Sequence, residues 1–176
     1  MMNYKTKLKN IEAIFLDVDG VLTNGQVLLD SYGNLLRSMH VKDGFVLQYA
    51  VKKGLKVVII SGGRDQQVTK RLAGLGITDV HLDVQSKLPV LKEYIEENGL
   101  SAENVLYMGD DMPDIPCMQY VGLACCPVDA VAEVRAVAEY VSPAAGGLGC
   151  VRDIVEQLLK VQGKWQFDFE IVRRPV

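Results

Sequence analysis

Five short, mainly apolar runs, Ala13–Leu16, Lys56–Ile60, Asp79–Leu82, Val105–Met108 and Gly122–Cys125, recur along the chain. Between them lie helix-like stretches at Gly44–Lys53, Asp65–Leu75, Leu88–Asn98, Pro113–Tyr120 and Val128–Ala138, with a last one at Val151–Val161. Near-continuous apolar strands are buried on both faces, which requires helices on each side of the sheet. The alternation therefore predicts an α/β chain built on a doubly wound, Rossmann-like parallel sheet. Gly54 and Gly99 follow two of the helices, and Asp43 and Ser86 are placed to act as N-caps.

Two segments break the alternation. Gln26–Asp30 and Leu35–His40 are short extended runs around Ser31-Tyr32-Gly33-Asn34, which has turn chemistry, so residues 24–40 read as an inserted β-hairpin. At the far end Trp165, Phe167, Phe169 and Ile171 alternate with Gln166, Asp168 and Glu170, the period of an extended segment with one apolar face. The expected division is a single domain over 1–162 and an extended tail over 163–176. A length of 176 residues with 49% hydrophobic residues suffices for one packed core. A formal net charge of −3 argues against a nucleic-acid module. There is no stretch of membrane-spanning length and no secretory pattern at the N-terminus, so neither membrane nor nucleic acid is expected as a partner. Cys117, Cys125, Cys126 and Cys150 form no CxxC pair and read as reduced thiols of a cytoplasmic protein.

In an open parallel sheet, ligands sit beyond the carboxyl ends of the strands. The first run ends in Asp17 and Asp19, the Lys56–Ile60 run in Ser61-Gly62-Gly63-Arg64, and Lys87 follows the third. The fourth ends in Gly109-Asp110-Asp111, with Asp114 a helical turn on. Two carboxylates two residues apart raise each other's pKa unless a cation offsets them. With three more aspartates on the same rim, the set suits a hard cation such as Mg²⁺, which takes carboxylates, waters and substrate phosphate. Ser61 can donate to a phosphate oxygen, the neighbouring glycines open backbone N–H groups to an anion, and Lys87 supplies a compact positive charge. An ionised Asp can attack phosphorus, and a second can protonate the leaving alcohol and then deprotonate water. Taken singly, each residue has a plainer role: Ser61 or Asp114 as a helix cap, Lys87 as a solvated lysine.

DVDGVLT, Ser61 after its strand, Lys87 and GDDMPD resemble, in order, the four motifs of the haloacid dehalogenase superfamily. That resemblance implies Asp17 as nucleophile and metal ligand, and Asp19 as general acid/base lending its backbone carbonyl to Mg²⁺. It further implies Asp110 as a direct ligand, Asp111 and Asp114 as supporting groups, and Ser61, Gly62 and Lys87 as the phosphate seat. The gaps between motifs hold no cap domain, only the hairpin, so the rim should be open.

This capless arrangement resembles a narrower family, the phosphatases of 3-deoxy-D-manno-octulosonate 8-phosphate (KDO 8-phosphate) and related sugar acids. The matching segments are DVDGVLTNG with its hairpin, Val41-Lys42-Asp43-Gly44, GDDMPD, and Gly146-Gly147-Leu148-Gly149 before Cys150-Val151-Arg152. The resemblance implies a Mg²⁺-dependent enzyme of lipopolysaccharide synthesis. It also implies a homotetramer in which one subunit's hairpin helps close the next subunit's site. The hairpin's apolar residues, Val27 to Leu29, Leu35, Leu36 and Met39, would pack on that partner or on their own domain. The tail would reach an active site or add an edge strand. The chain departs from the family at Gly63, where arginine is usual, and at His40 and Lys42, where Asn and Arg are usual. Lys42 and Arg64 are the candidate substrate contacts. The competing readings are a phosphatase of a nine-carbon sugar-acid 9-phosphate, and a non-catalytic phosphatase-like assembly module.

Overall fold

A computed structural model describes residues 3–166. After a short helix α1 (Tyr4–Leu8) come β1 (Ala13–Leu16), the hairpin strands β2 (Leu28–Leu29) and β3 (Leu35–Leu36), α2 (Val41–Lys52) and β4 (Lys56–Ile60). The chain continues through α3 (Gln66–Ala73), β5 (Asp79–His81), α4 (Lys87–Glu97), β6 (Val105–Met108), α5 (Ile115–Tyr120) and β7 (Leu123–Cys126). It closes with α6 (Ala132–Val137), β8 (Tyr140–Val141) and α7 (Cys150–Val161). Six parallel strands form one sheet in the order β5-β4-β1-β6-β7-β8. The first strand thus lies in the middle, with the chain winding outward to either side.

Alternate residues of each central strand enter two separate cores. Ile14, Leu16, Val57, Ile59, Leu106 and Met108 pack with α2, α3 and α7 on one face. Phe15, Val58, Ile60, Val105 and Tyr107 pack with α4, α5 and α6 on the other. Adjacent Cys125 and Cys126 fall on opposite faces, as the strand period requires, and all four cysteines are buried and unpaired.

The five strands expected of the parallel sheet are all present. Three helices are displaced for identifiable reasons. α6 begins only at Ala132, because Ala130 turns back onto the Pro127 carbonyl at 3.2 Å and Val128 donates to Ala144. α5 is preceded by a tight turn at Met112–Asp114. α2 begins before Asp43, with His40 at its N-cap, so Asp43 is no cap of its own helix. Its Oδ1 instead accepts from the Arg152 N–H at 2.7 Å, in the first turn of α7. Ser86 does stand at the N-cap of α4, without a side-chain cap bond.

The hairpin is shorter than expected, two residues per strand, with an isolated bridge from Thr23 to Met39 at its base. Leu28 and Leu29 are 67% and 70% exposed. Within one chain, then, Leu28 and Leu29 find no cover on their own domain, whereas Met39, at the base of the hairpin, packs against the core on the α2 and α7 face. Of the C-terminal tail, Trp165 packs edge-on against Tyr49, with the Arg152 guanidinium 4.9 Å over its ring. The alternation through Phe167, Phe169 and Ile171 lies outside the described residues.

Candidate active site

The hydrogen-bond ladders run one residue past the strand ends, and this delivers the site. Asp17 N–H donates to Met108, Ser61 N–H to His81, and Gly109 N–H to Cys125, at 3.1, 2.9 and 3.3 Å. Asp17, Ser61 and Gly109 are thereby held at one rim as extensions of the sheet.

Beyond Asp17 the chain makes a wide turn over Val18–Leu22, closed by Thr23 N–H on the Val18 carbonyl at 3.0 Å. Gly20 is required at its apex, with φ +84°, and a Cβ there would lie 2.0 Å from Asp110 Oδ2. The turn is backed by the loop before α7. A Cβ on Gly146 would stand 1.9 Å from the Gly20 carbonyl oxygen, so only glycine lets the two backbones touch. Thr23, fully buried, has its hydroxyl within 3.2 Å of the Val18 carbonyl and 3.4 Å of Asp19 Oδ1.

Lys87, the first residue of α4, is 6% exposed and bridges Asp17 Oδ2 at 2.9 Å and Asp114 Oδ1 at 2.7 Å. The solvated-lysine alternative is thus excluded. Burial by itself lowers the pKa of Lys87, but the two carboxylates more than offset it and the net shift is upward. Asp114 is fully buried. Its Oδ1 also accepts from the Tyr107 hydroxyl at 2.7 Å, and its Oδ2 from the N–H groups of Asp110 and Asp111. It therefore caps its own turn and orients Lys87 at once.

Asp17, Asp110 and Asp114 bring carboxylate oxygens within 4.8 Å of one another. Burial, then the charge of Asp114, pushes the Asp17 carboxyl up to about 6 despite Lys87. Burial, then the charges of Asp17, Asp114 and Asp111, pushes Asp110 up to about 7. Asp110 Oδ1 is buried with no hydrogen-bond partner. Asp114 accepts from two donors on each oxygen, whereas Asp17 has a single partner on each, so the orphaned oxygen of Asp110 and the carboxylate of Asp17 are the ones a divalent cation fits. Asp111 sits outside that pair, its side chain accepting from Met112 N–H at 2.7 Å.

These groups line a pocket of about 680 Å³ that also includes Ser61, Gly62 and Arg64. Ser61 is buried and its Oγ accepts from Gly63 N–H at 3.1 Å, leaving its own proton for an anion. Arg64 lies on the rim, its side chain 78% exposed, donating to Asp83 Oδ1 at 2.7 Å. Lys42, exposed at the second position of α2, lines neither this pocket nor a second cleft of about 890 Å³ between the hairpin and α3. The structure adds one charged side chain with no counterpart among the sequence motifs. Arg37, from the hairpin, forks onto both oxygens of Asp19 at 2.7 and 3.0 Å.

The profile of the haloacid dehalogenase-like hydrolases matches residues 74–146, which carry Lys87 and the late aspartates. Sheet and rim together define a hydrolase of that class. The KDO 8-phosphate phosphatase of Salmonella typhi is 38% identical over 159 residues, 90% of this chain and 85% of that protein. The Haemophilus influenzae enzyme is 33% identical, over 90% and 88% of the two chains. The chain belongs to the family of 3-deoxy-D-manno-octulosonate 8-phosphate phosphatases. The Moraxella catarrhalis member, crystallised with a magnesium ion, a phosphate ion and KDO, superposes with a TM-score of 0.90. It is 31% identical, over 94% of this chain and 95% of that one.

Proposed function

We propose that this protein is a Mg²⁺-dependent phosphomonoesterase that hydrolyses KDO 8-phosphate to KDO and phosphate, a step of lipopolysaccharide synthesis, through an aspartyl-phosphate on Asp17. The observation that carries the reading is Asp17 itself. It is buried at the strand end, paired to Lys87 at 2.9 Å and crowded by the partnerless Asp110 Oδ1. Burial pushes the Asp17 carboxyl up to about 6, and the Lys87 ammonium at 2.9 Å favours the ionised form that attack requires. A carboxylate oxygen of Asp17 attacks phosphorus as the P–O bond to the sugar breaks, and Asp19 protonates the departing alkoxide. Water then attacks the phosphorus, Asp19 takes its proton, and phosphate and the free Asp17 are released. Ser61, Gly62 and Lys87 hold the phosphoryl oxygens throughout. Asp17, the backbone carbonyl of Asp19 and Asp110 would hold Mg²⁺, with Asp111 and Asp114 in support. The ion neutralises the phosphate and the clustered carboxylates. The intact set of five aspartates, Ser61 and Lys87 weighs against a non-catalytic module. Four buried, unpaired thiols support a reducing, cytoplasmic setting.

Phosphate release with Mg²⁺, and with EDTA as control, tests the reading across KDO 8-phosphate, nine-carbon sugar-acid 9-phosphates and a nucleoside monophosphate. KDO 8-phosphate is expected to lead by about a hundredfold in kcat/KM, roughly 2.7 kcal/mol of transition-state discrimination. Equal rates on all three would leave the chemistry standing and remove the substrate. The open rim and the exposed Leu28 and Leu29 further support a homotetramer whose hairpins each cover a neighbour's site. Light scattering at micromolar concentration should give four chain masses, and a monomer would overturn the shared site.

A further inference from the structure

The hairpin's strands are exposed, yet the side chain of Arg37, one residue beyond β3, is only 8% exposed. Its guanidinium turns inward, with Nε donating to Asp19 Oδ1 at 2.7 Å and Nη2 to Asp19 Oδ2 at 3.0 Å. Nη1 donates to the Leu35 carbonyl at 3.2 Å and reaches Asp65 Oδ2 at 3.5 Å. Asp65 is in turn fixed as the N-cap of α3, accepting from Gln67 N–H at 2.8 Å. The fork is thus anchored on its own strand and on two other segments, and bidentate guanidinium–carboxylate pairs specify orientation as well as proximity.

Gly63 lies directly beside the fork. A Cβ at that position would stand 3.6 Å from both Arg37 Nη2 and Asp19 Oδ2, and 3.4 Å from Ser61 Oγ. A longer side chain would compete for the volume the guanidinium fills. Without Arg37, Asp19 would be loosely held. Its side chain is 36% exposed, and among the described residues the remaining polar side-chain contact is the Thr23 hydroxyl at 3.4 Å.

We propose that Arg37 is the positioning residue for the Asp19 acid/base, seated beside Gly63. The inference rests on Asp19 exchanging protons with the leaving oxygen and the water. Each carboxylate oxygen has two lone-pair directions. The fork occupies one on each and the Thr23 hydroxyl lies 3.4 Å from Oδ1, which leaves the second direction of Oδ2 for the ester oxygen and then the attacking water. The guanidinium itself takes no part in bond making. It restricts the rotation of an exposed aspartate to the arc in which proton transfer succeeds, and misplacement of about 1 Å costs roughly a hundredfold.

The test is a leaving-group comparison on the full chain with Mg²⁺, reading the first turnover. The alkyl esters are KDO 8-phosphate and glycerol 1-phosphate, the latter independent of the sugar-acid assignment. The contrast is p-nitrophenyl phosphate, whose phenolate departs without a proton. Arg37→Met should slow the first turnover of the alkyl esters by about thirtyfold, a part of the 10²–10⁴ that acid/base catalysis contributes in full. The nitrophenolate burst should change by less than about threefold, and KM should stay within about threefold. Arg37→Lys, charged but unable to fork, should fall between Arg37→Met and wild type. Equal losses on both kinds of ester, a rise in KM alone, or faster turnover of the alkyl esters would each overturn the proposal. Asp19→Asn, run alongside, should show the same leaving-group dependence more strongly. If it shows none, the acid/base reading fails and takes the proposal with it. Failure of KDO 8-phosphate alone, with glycerol 1-phosphate behaving as described, would remove only the substrate assignment.

Discussion

Asp17→Asn is expected to lower turnover by at least about 10⁴-fold, the scale on which loss of a catalytic nucleophile is felt, while the fold stays intact. Asparagine has the same shape, and its carbonyl oxygen can keep the bond that Asp17 Oδ1 accepts from Val18 N–H at 2.7 Å. Lys87 keeps its other partner, Asp114, at 2.7 Å. Burial already opposes the charge on Asp17, so neutralising it removes a cost as well as a partner. An amide, however, has no oxygen nucleophilic enough to displace an alcohol from phosphorus. Phosphate release would report the loss, and a melting temperature within a few degrees of wild type would show that the fold had survived. A variant that still turns over at near-wild-type rate would remove Asp17 as the nucleophile.

Lys87→Met should instead cost stability as well as activity. Methionine replaces much of the apolar stem of a side chain that is 6% exposed, but it leaves Asp17 and Asp114 buried without their cation. Removing one partner of a buried ion pair typically costs about 3–5 kcal/mol. The cost should depend on pH. Asp17 titrates at about 6 in the folded chain, above its ordinary 3.8, and without the Lys87 charge it moves higher still. Between the ordinary and folded values the native state binds more protons than the unfolded one, so stability falls as pH rises through that window. The deficit relative to wild type should be smallest near pH 5 and largest above pH 7, with Mg²⁺ recovering part of it. Urea denaturation of both proteins at pH 5 and pH 8, with and without Mg²⁺, checks this. A deficit below about 1 kcal/mol, or one equal at both pH values, would mean that the lysine does not hold the carboxylates together.

The central strands were legible because both their faces are buried. Ile14, Phe15 and Leu16 need no alternation to read as strand, because the run is too short for a helix and ends in turn chemistry at Asp17–Gly20. The motif residues were legible for a related reason. Strand ends order them along the chain, so sequence position translates directly into place on the rim. What escaped depends on contacts between distant segments. The helix Tyr4–Leu8 is five residues with two lysines and one buried side chain, and Lys7 anchors it by donating to the Gly122 carbonyl at 2.8 Å. The edge strand Tyr140–Val141 is two residues long and is defined by its neighbour β7. Asp43 carried the chemistry of a cap and is used as one, but on α7 rather than on its own helix. Arg37 left no signal at all. A single arginine in a turn-rich segment is ordinarily solvated, and only the folding-over of the hairpin brings it to Asp19.

The seating of the Gly146 loop against the turn at Gly20 bears on when the enzyme becomes competent as it is made. Asp17 precedes its backing along the chain, and the turn behind it has none of its own. That backing comes from Gly146 and from the Cys150 thiol on the Val21 carbonyl, a contact between residues 129 apart in sequence. The middle strand likewise waits for β6 before it has neighbours on both sides. A nascent chain therefore carries Asp17 well before the segments that wall it in, and the rim is complete only once α7 has been made.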